Sequence, residues 1–218
     1  MIRDTEIIFG GVSLFLNNGR SIFWPGEKML IFSDLHLGKS AHFRRHGIAV
    51  PDGVMQKDLA MIRELVAHYQ PEVLVVVGDV FHAGVNSETL KFAELTQGWW
   101  PRRTVLVKGN HDRFAHDLTL SGAFQWTEKL SLHGITLMHQ PDEGNGLCIS
   151  GHIHPGVVLQ ARNYQKIKLP CFLVSGKQLI LPAFSGFTGL DTDFVKSHHN
   201  LFSVFVITPQ GVFSMDKV

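Results

Sequence analysis

Cysteine is nearly absent from this sequence: Cys148 and Cys171 are the only two in 218 residues. Both sit in apolar runs and read as buried free thiols, which excludes a disulfide framework. Long hydrophobic runs are also missing. None approaches the ~20 apolar residues of a membrane helix, and the opening residues lack the apolar region of a signal peptide. The expectation is a cytoplasmic protein with no membrane partner. Charge of one sign is lacking too, with 20 basic against 19 acidic residues. No basic block dominates, which disfavours a strongly electrostatic nucleic-acid binder and leaves specific or transient contact open. Without repeats, low-complexity tracts or long linkers, residues 1–218 are expected to form a single domain, large enough to bury a core unaided.

The first half alternates strand and helix. Short strands are expected at 5–9, 12–16, 21–24 and 29–32. In 54–70, Met55, Leu59, Ile62, Val66 and Tyr69 share one helical face, and Pro71 ends the helix. Val73–Val77 reads as a strand covered on both sides. Ser87 is the expected N-cap of a second helix carrying Phe92, Leu95 and Trp99 and ending before Pro101. Thr104–Val107 follows as a strand. This β-α-β-α-β order argues for a parallel core with right-handed crossovers. The second half offers short strands with little helix, at 134–139, 146–150, 156–161, 169–174, 178–181 and 201–207, with a hairpin signal at Ser175–Gln178. The expected architecture is α/β, two packed sheets flanked by helices.

Five apolar runs break directly into metal-ligand residues: K-M-L-I-F-S-D-L-H (Asp34, His36), E-V-L-V-V-V-G-D (Asp79), T-V-L-V-K-G-N-H-D (Asn110, His111, Asp112), I-T-L-M-H (His139) and L-C-I-S-G-H-I-H (His152, His154). In open α/β sheets, sites form beyond the carboxyl ends of strands. Alternate residues of a strand point the same way, so the D-x-H and H-x-H spacings are expected to aim both side chains at one ion. Gly78, Gly109 and Gly151 precede ligand residues, where a close backbone approach is expected. The donor set mixes carboxylate, amide and imidazole without thiolate, which suits Mn, Fe or Zn. Seven candidate ligands exceed the needs of one tetrahedral ion, so two divalent ions sharing a carboxylate are expected.

In their order, D-x-H, G-D-V, G-N-H-D, a lone His after a strand, and G-H-I-H resemble the motifs of the calcineurin-like metallophosphoesterases. The resemblance implies a four-layer metallophosphoesterase sandwich of two mixed β-sheets. It implies that Asp34, His36 and His154 bind a first ion, that Asn110, His139 and His152 bind a second, and that Asp79 bridges them. His111 would face the leaving group. S-D-L-H-L-G-K-S-A-H-F-R-R-H-G-I-A-V-P, G-D-V-F-H and L-P-A-F-S-G-F-T-G further resemble the bacterial DNA ligase-associated metallophosphoesterases. That family implies a preference for Mn and a functional association with a DNA ligase, a helicase and an exonuclease. Its name comes from gene neighbourhood and does not establish DNA as substrate.

The expected reaction is phosphodiester hydrolysis by a metal-bridging hydroxide, with His111 as general acid or electrostatic stabiliser. Asp112 is expected to orient the His111 ring. Arg44 and Arg45, in a loop after the first motif, are candidates to clamp phosphate, and His42 and His82 are candidates for substrate contact. Lys39 lies beside the site. Each has a plain alternative as solvated or structural surface. For His68, His116, His133, His198 and His199 the structural reading is preferred, and Trp99-Trp100 is expected in core or at a partner patch. A nuclease acting on nucleic-acid ends is the alternative activity. A metal-bound interaction scaffold is the non-enzymatic alternative, disfavoured because every ligand is present.

Overall fold

The computed structural model describes residues 1–50, 53–82, 87–96, 98–112, 124–142, 144, 146–160 and 165–215; His116 lies outside them. Seven strands form the first sheet in sequence order: β1 (Asp4–Phe9), β2 (Val12–Asn17), β3 (Ser21–Trp24), β4 (Met29–Phe32), β5 (Val73–Val77), β6 (Arg103–Val107) and β7 (Phe124–Thr127). Strands β1 to β4 form an antiparallel meander, and β4 to β7 run parallel. The first hairpin turns on Gly10-Gly11, both at positive φ (58° and 83°), the conformation a two-residue loop needs to match strand twist.

The second sheet contains β8 (Leu130–Leu132), β9 (Ile135–Leu137), β10 (Leu147–Ser150), β11 (Gly156–Gln160), β12 (Lys166–Val174), β13 (Gln178–Ile180), β14 (Ser203–Thr208) and β15 (Gly211–Ser214). Its order is β15-β14-β12-β13-β10-β9-β8, with β11 paired to β12. Strand β10 runs parallel to β9 and β13. Four α-helices complete the described fold: α1 (Lys39–Arg45), α2 (Val54–Tyr69), α3 (Ser87–Leu95) and α4 (Thr192–His198).

Strand alternation explains the layers. Ile31, Val75, Val77, Val105 and Val107 point inward and meet Ile135, Leu137, Ile149, Phe172 and Leu179 of the other sheet. Their neighbours Leu30, Phe32, Leu74, Val76 and Leu106 point outward onto Met55, Leu59, Ile62 and Leu65 of α2 and Phe92 of α3. On the far side, Cys171, Leu173, Val204 and Val206 meet Val195 of α4. The result is the four-layer α/β sandwich anticipated from the sequence. Apolar area removed from water stabilises the fold by about 25 cal/mol per Å², and the buried members of this central layer are at most 8% exposed. Both thiols are buried and unpaired.

Several local expectations shift. Residues 42–46 are not a loop: α1 runs through Arg45, because Gly38 (φ 84°) lets the chain turn straight from the strand end into a helix. Helix α3 starts at Ser87 and ends at Leu95, short of Trp99. Trp99 Nε1 then donates to the Leu95 carbonyl (2.7 Å) and Trp100 Nε1 to the Thr104 hydroxyl (2.9 Å), so both indoles serve the outer core. Helix α4 was not expected; Asp191 caps it, accepting the amides of Asp193 and Phe194. Strands β7, β8 and β15 were also unforeseen. No described helix is long and apolar enough to cross a membrane.

Candidate metal centre

All five ligand-bearing runs end at one place. Strands β4, β5 and β6 are parallel, and their ends stay coupled past the regular ladder. The Asp34 amide donates to Gly78 O (3.1 Å), His36 N to Asp79 O (2.9 Å) and Gly78 N to Val107 O (3.0 Å). From the second sheet, Gly151 N donates to His139 O (3.0 Å). A bridge between Ser33 and Ala183 joins the two sheets at the site.

The backbone here is unusual. Asp34, His36, Asp79, His152 and His154 all have φ between 47° and 69°. Left-handed backbone is costly for non-glycine residues and persists where its surroundings over-determine it. Asp34 and His36 therefore converge through paired left-handed turns, not through strand alternation, and so do His152 and His154. The glycines serve close approach as expected. A Cβ on Gly78 would fall on the His139 ring, one on Gly109 on the Asp79 amide, and one on Gly151 on the Asp34 carboxylate.

Two ligand groups result, Asp34/His36/His154 and Asp79/His139/His152, each with donor atoms within 4.8 Å of one another. In the first, His154 Nε2 lies 3.2 Å from Asp34 Oδ1. In the second, His139 Nε2 lies 2.9 Å from Asn110 Oδ1, 3.1 Å from His152 Nδ1 and 3.5 Å from Asp79 Oδ2. Donors about 2.1 Å from one ion stand about 3.0 Å apart at right angles and about 3.4 Å apart tetrahedrally. The spacings are therefore those of a coordination shell. Asp34 Oδ1, both His36 ring nitrogens, His139 Nδ1 and His154 Nε2 are buried without a hydrogen-bond partner. Buried polar atoms of this kind are expensive unless something binds them, and a cation would. The residues fit divalent ions.

The electrostatics agree. Burial pushes the His36 imidazole down to about 3, reinforced by Lys39, so it stays neutral with a lone pair to give. Burial raises the Asp34 carboxyl, but the imidazoles of His154 and His139 and the Ser33 hydroxyl outweigh it and hold the group below the usual carboxylate range. Burial also lowers His152.

His111 belongs to neither group. Its backbone amide donates to Asp79 Oδ1 (2.9 Å), and its half-exposed ring places Nε2 4.0 Å from Asp79 Oδ2. The carboxylate beside that ring is thus Asp79. Asp112 does something other than orient His111: Oδ1 accepts the Phe81 amide (2.9 Å), and Oδ2 accepts the amides of Gly109 (2.9 Å) and Val80 (3.3 Å). It ties the β6 turn to the β5 turn.

His82 stacks on His111 (centroids 5.1 Å apart) and meets His42 at 5.4 Å. Burial, then Lys39, lowers His82 to about 4. Arg44 is exposed and pairs with Glu88 at 3.5 Å; Arg45 is exposed on the same helix. Lys39 lies over the Phe187 ring (5.9 Å), which in turn faces Phe43. Four further described histidines have local partners: His133 pairs with Glu27, His198 stacks on Phe194, His199 bonds Lys196 O, and His68 packs on Tyr69. Sequence reasoning did not single out Phe187, Arg20 or Asp58. Asp58 had a signal: it shares the apolar face of α2 with Met55 and Ile62, where a carboxylate needs a reason to be.

A two-sheet sandwich that gathers imidazoles and carboxylates at its strand ends, in two cation-ready groups, defines a metal-dependent hydrolase fold. Residues 27–211 match the model of the calcineurin-like phosphoesterases, and the chain belongs to that family. Among solved structures it is similar to the Pseudomonas putida nuclease MPE, with a TM-score of 0.81 and 28% identity, covering 98% of this chain and 100% of that one. Comparison with curated protein sequences gives no match.

Proposed function

We propose that this protein is a two-metal phosphodiesterase. The observation that carries the reading is the pair of adjacent ligand groups, in which Asp34 Oδ1, both His36 nitrogens, His139 Nδ1 and His154 Nε2 are buried without a hydrogen-bond partner. Asp34, His36 and His154 would hold one ion, and Asn110, His139 and His152 the other. Asp79, whose Oδ1 accepts the His111 amide and whose Oδ2 lies beside His139, would be the carboxylate shared between the two. When bound, such ions supply positive charge to phosphate oxygens and a water acidic enough to act as nucleophile near neutral pH.

This chain's own residues do the rest. His111, outside both groups and half-exposed at their edge, is placed to give a proton to the departing ester oxygen. The Asp112 carboxylate keeps the two turns that carry Asp79 and Asn110 in register. Lys39, half-buried and within electrostatic reach of Asp34 and Asp79, adds positive charge that would favour an anionic diester. Arg44 is engaged with Glu88, so its phosphate contact would require that pair to open. Mn is the ion we favour for this mixed nitrogen and oxygen donor set.

The nuclease likeness over nearly the full chain supports a nucleic acid as the diester, and we hold this as the second reading. The test is hydrolysis of bis-p-nitrophenyl phosphate with Mn, against the monoester and a chelated control. Diesterase activity abolished by chelation is expected; no hydrolysis with any divalent metal would overturn the reading. Single-stranded and duplex oligonucleotides in the same assay decide between nuclease and small-diester activity.

A further inference from the structure

A buried clasp on the back of the site involves none of the ligands. The β2–β3 turn is rigid: Asn17, fully buried, accepts with Oδ1 from the amides of Gly19 (3.0 Å) and Ser21 (3.3 Å) and from the Ser21 hydroxyl (2.9 Å). This turn presents Arg20, itself at φ 60°. Its Nη1 donates to the carbonyls of Phe184 (3.4 Å) and Ser185 (3.2 Å). From the other side Asp58 of α2 accepts the Gly186 amide (3.3 Å) and hydrogen-bonds the Ser185 hydroxyl. The peptide at 185–186 is thus gripped at its carbonyl by a cation and at its amide by an anion.

The opposite edge of the same segment faces the metal centre. Phe184 N donates to Ser33 O (2.9 Å), and Ser185 N to the carbonyl of Asp34 (3.4 Å). Asp34 sits at φ 54°, so it relies on its neighbours to stay there. Its amide is held by Gly78 and its carboxylate by the His152 amide. The remaining backbone hold comes from the gripped segment.

We propose that Arg20 and Asp58 are positioning residues for the first ligand group, acting through residues 183–187 on the backbone of Asp34. The proposal rests on the two-metal reading. Both groups are partly desolvated: burial lowers the Arg20 guanidinium against the pull of Asp58, and raises the Asp58 carboxyl against the Ser185 hydroxyl, the Gly186 amide and Arg20. Outer partners of metal ligands commonly govern affinity by about 10- to 100-fold.

The test is titration of the metal-free full chain with Mn²⁺ alone, followed calorimetrically, for wild type, Arg20→Lys and Asp58→Asn, with folding checked by circular dichroism. We expect folded variants in which one Mn²⁺ step weakens about tenfold while the step at Asn110, His139 and His152 keeps its affinity. Folded variants with wild-type affinity at both steps would overturn the clasp alone. A general loss of stability would lower both steps together, and that result also counts against it. Should both variants fail to fold, hydrogen exchange on wild type decides, because coupling is reciprocal. Mn²⁺ must then slow exchange at the Ser185 and Gly186 amides, and unchanged exchange there overturns the proposal. A wild-type chain that takes up no Mn²⁺ overturns the two-metal reading and the clasp with it.

Discussion

Asp112, at the end of the β6 run, reaches across to the turn after β5, where its Oδ1 accepts the amide of Phe81 at 2.9 Å. With Val80 and Gly109 also donating, one buried carboxylate satisfies three backbone amides. Removing it leaves those donors unpaired, at about 1–3 kcal/mol for each buried group. Asp112→Ala should therefore lose about 3 kcal/mol or more in urea unfolding. It should also weaken Mn binding, because the turns carrying Asp79 and Asn110 lose their tie. A variant within 0.5 kcal/mol of wild type, on the scale of a plain surface substitution, would show that the amides find other partners.

His111 makes a separable prediction. Its ring is outside both ligand groups, so His111→Ala should still bind two Mn²⁺ per chain. Loss of a positioned general acid usually costs about 10²- to 10⁴-fold, and kcat on the diester should fall within that range. The loss should shrink for diesters with more acidic leaving groups, which need less protonation. Unchanged kcat in the metal-loaded variant would remove His111 from the mechanism.

What was legible in the sequence is what local pattern dictates. Val73–Val77, apolar throughout and largely β-branched, read as a doubly covered strand, and Met55, Leu59 and Ile62 as one helix face. The ligands stood out because Asp34, Asp79 and His139 interrupt apolar runs, where polar residues need a purpose. What stayed hidden depends on distance or on φ. No local pattern shows that Asp34 and His36 converge through left-handed turns. Nor does it show that Asp112 bonds the amide of Phe81, 31 positions earlier, or that Arg20 grips Ser185. Strand β15 and helix α4 are short, so their periodicities have too few repeats to register; the Asp191 cap was the available sign of α4.

Gly78 tests the close packing of the site. Its φ is 78°, and an added Cβ would fall on the His139 ring. Backbone strain and overpacking each cost about 1–3 kcal/mol. Gly78→Ala should thus lose roughly 2–6 kcal/mol of stability, or shed the ion held by Asn110, His139 and His152. Metal analysis of the purified variant should give one Mn per chain. Two Mn per chain with wild-type unfolding would mean the ring has room to move.

The thiols should be silent in the native state. Cys171 is fully buried, and burial pushes its thiol up to about 12; Cys148 is raised by the same cause. The thiolate is the reactive form. Native protein at pH 8 should show essentially no reaction with an aromatic disulfide reagent, and unfolded protein should show two thiols per chain. A fast native thiol would contradict the burial of these strands.

Asp58 carries a pH signature with a definite sign. Burial raises its carboxyl above the ordinary value, against the lowering effects of Ser185, the Gly186 amide and Arg20. The folded chain therefore holds this proton more tightly than the unfolded chain. The resulting stabilisation is fully present below the unfolded carboxylate pKa and is lost as pH rises through the raised folded value. Asp58→Asn cannot titrate, so it lacks this pH dependence. In metal-free protein, the stability of Asp58→Asn relative to wild type should improve as pH rises from about 3.5, below the ordinary carboxylate pKa, to about 7. Urea midpoints across that interval measure it. A difference that stays flat, or that shifts in favour of wild type as pH rises, would mean that Arg20 and the 185–186 peptide outweigh burial at this carboxylate.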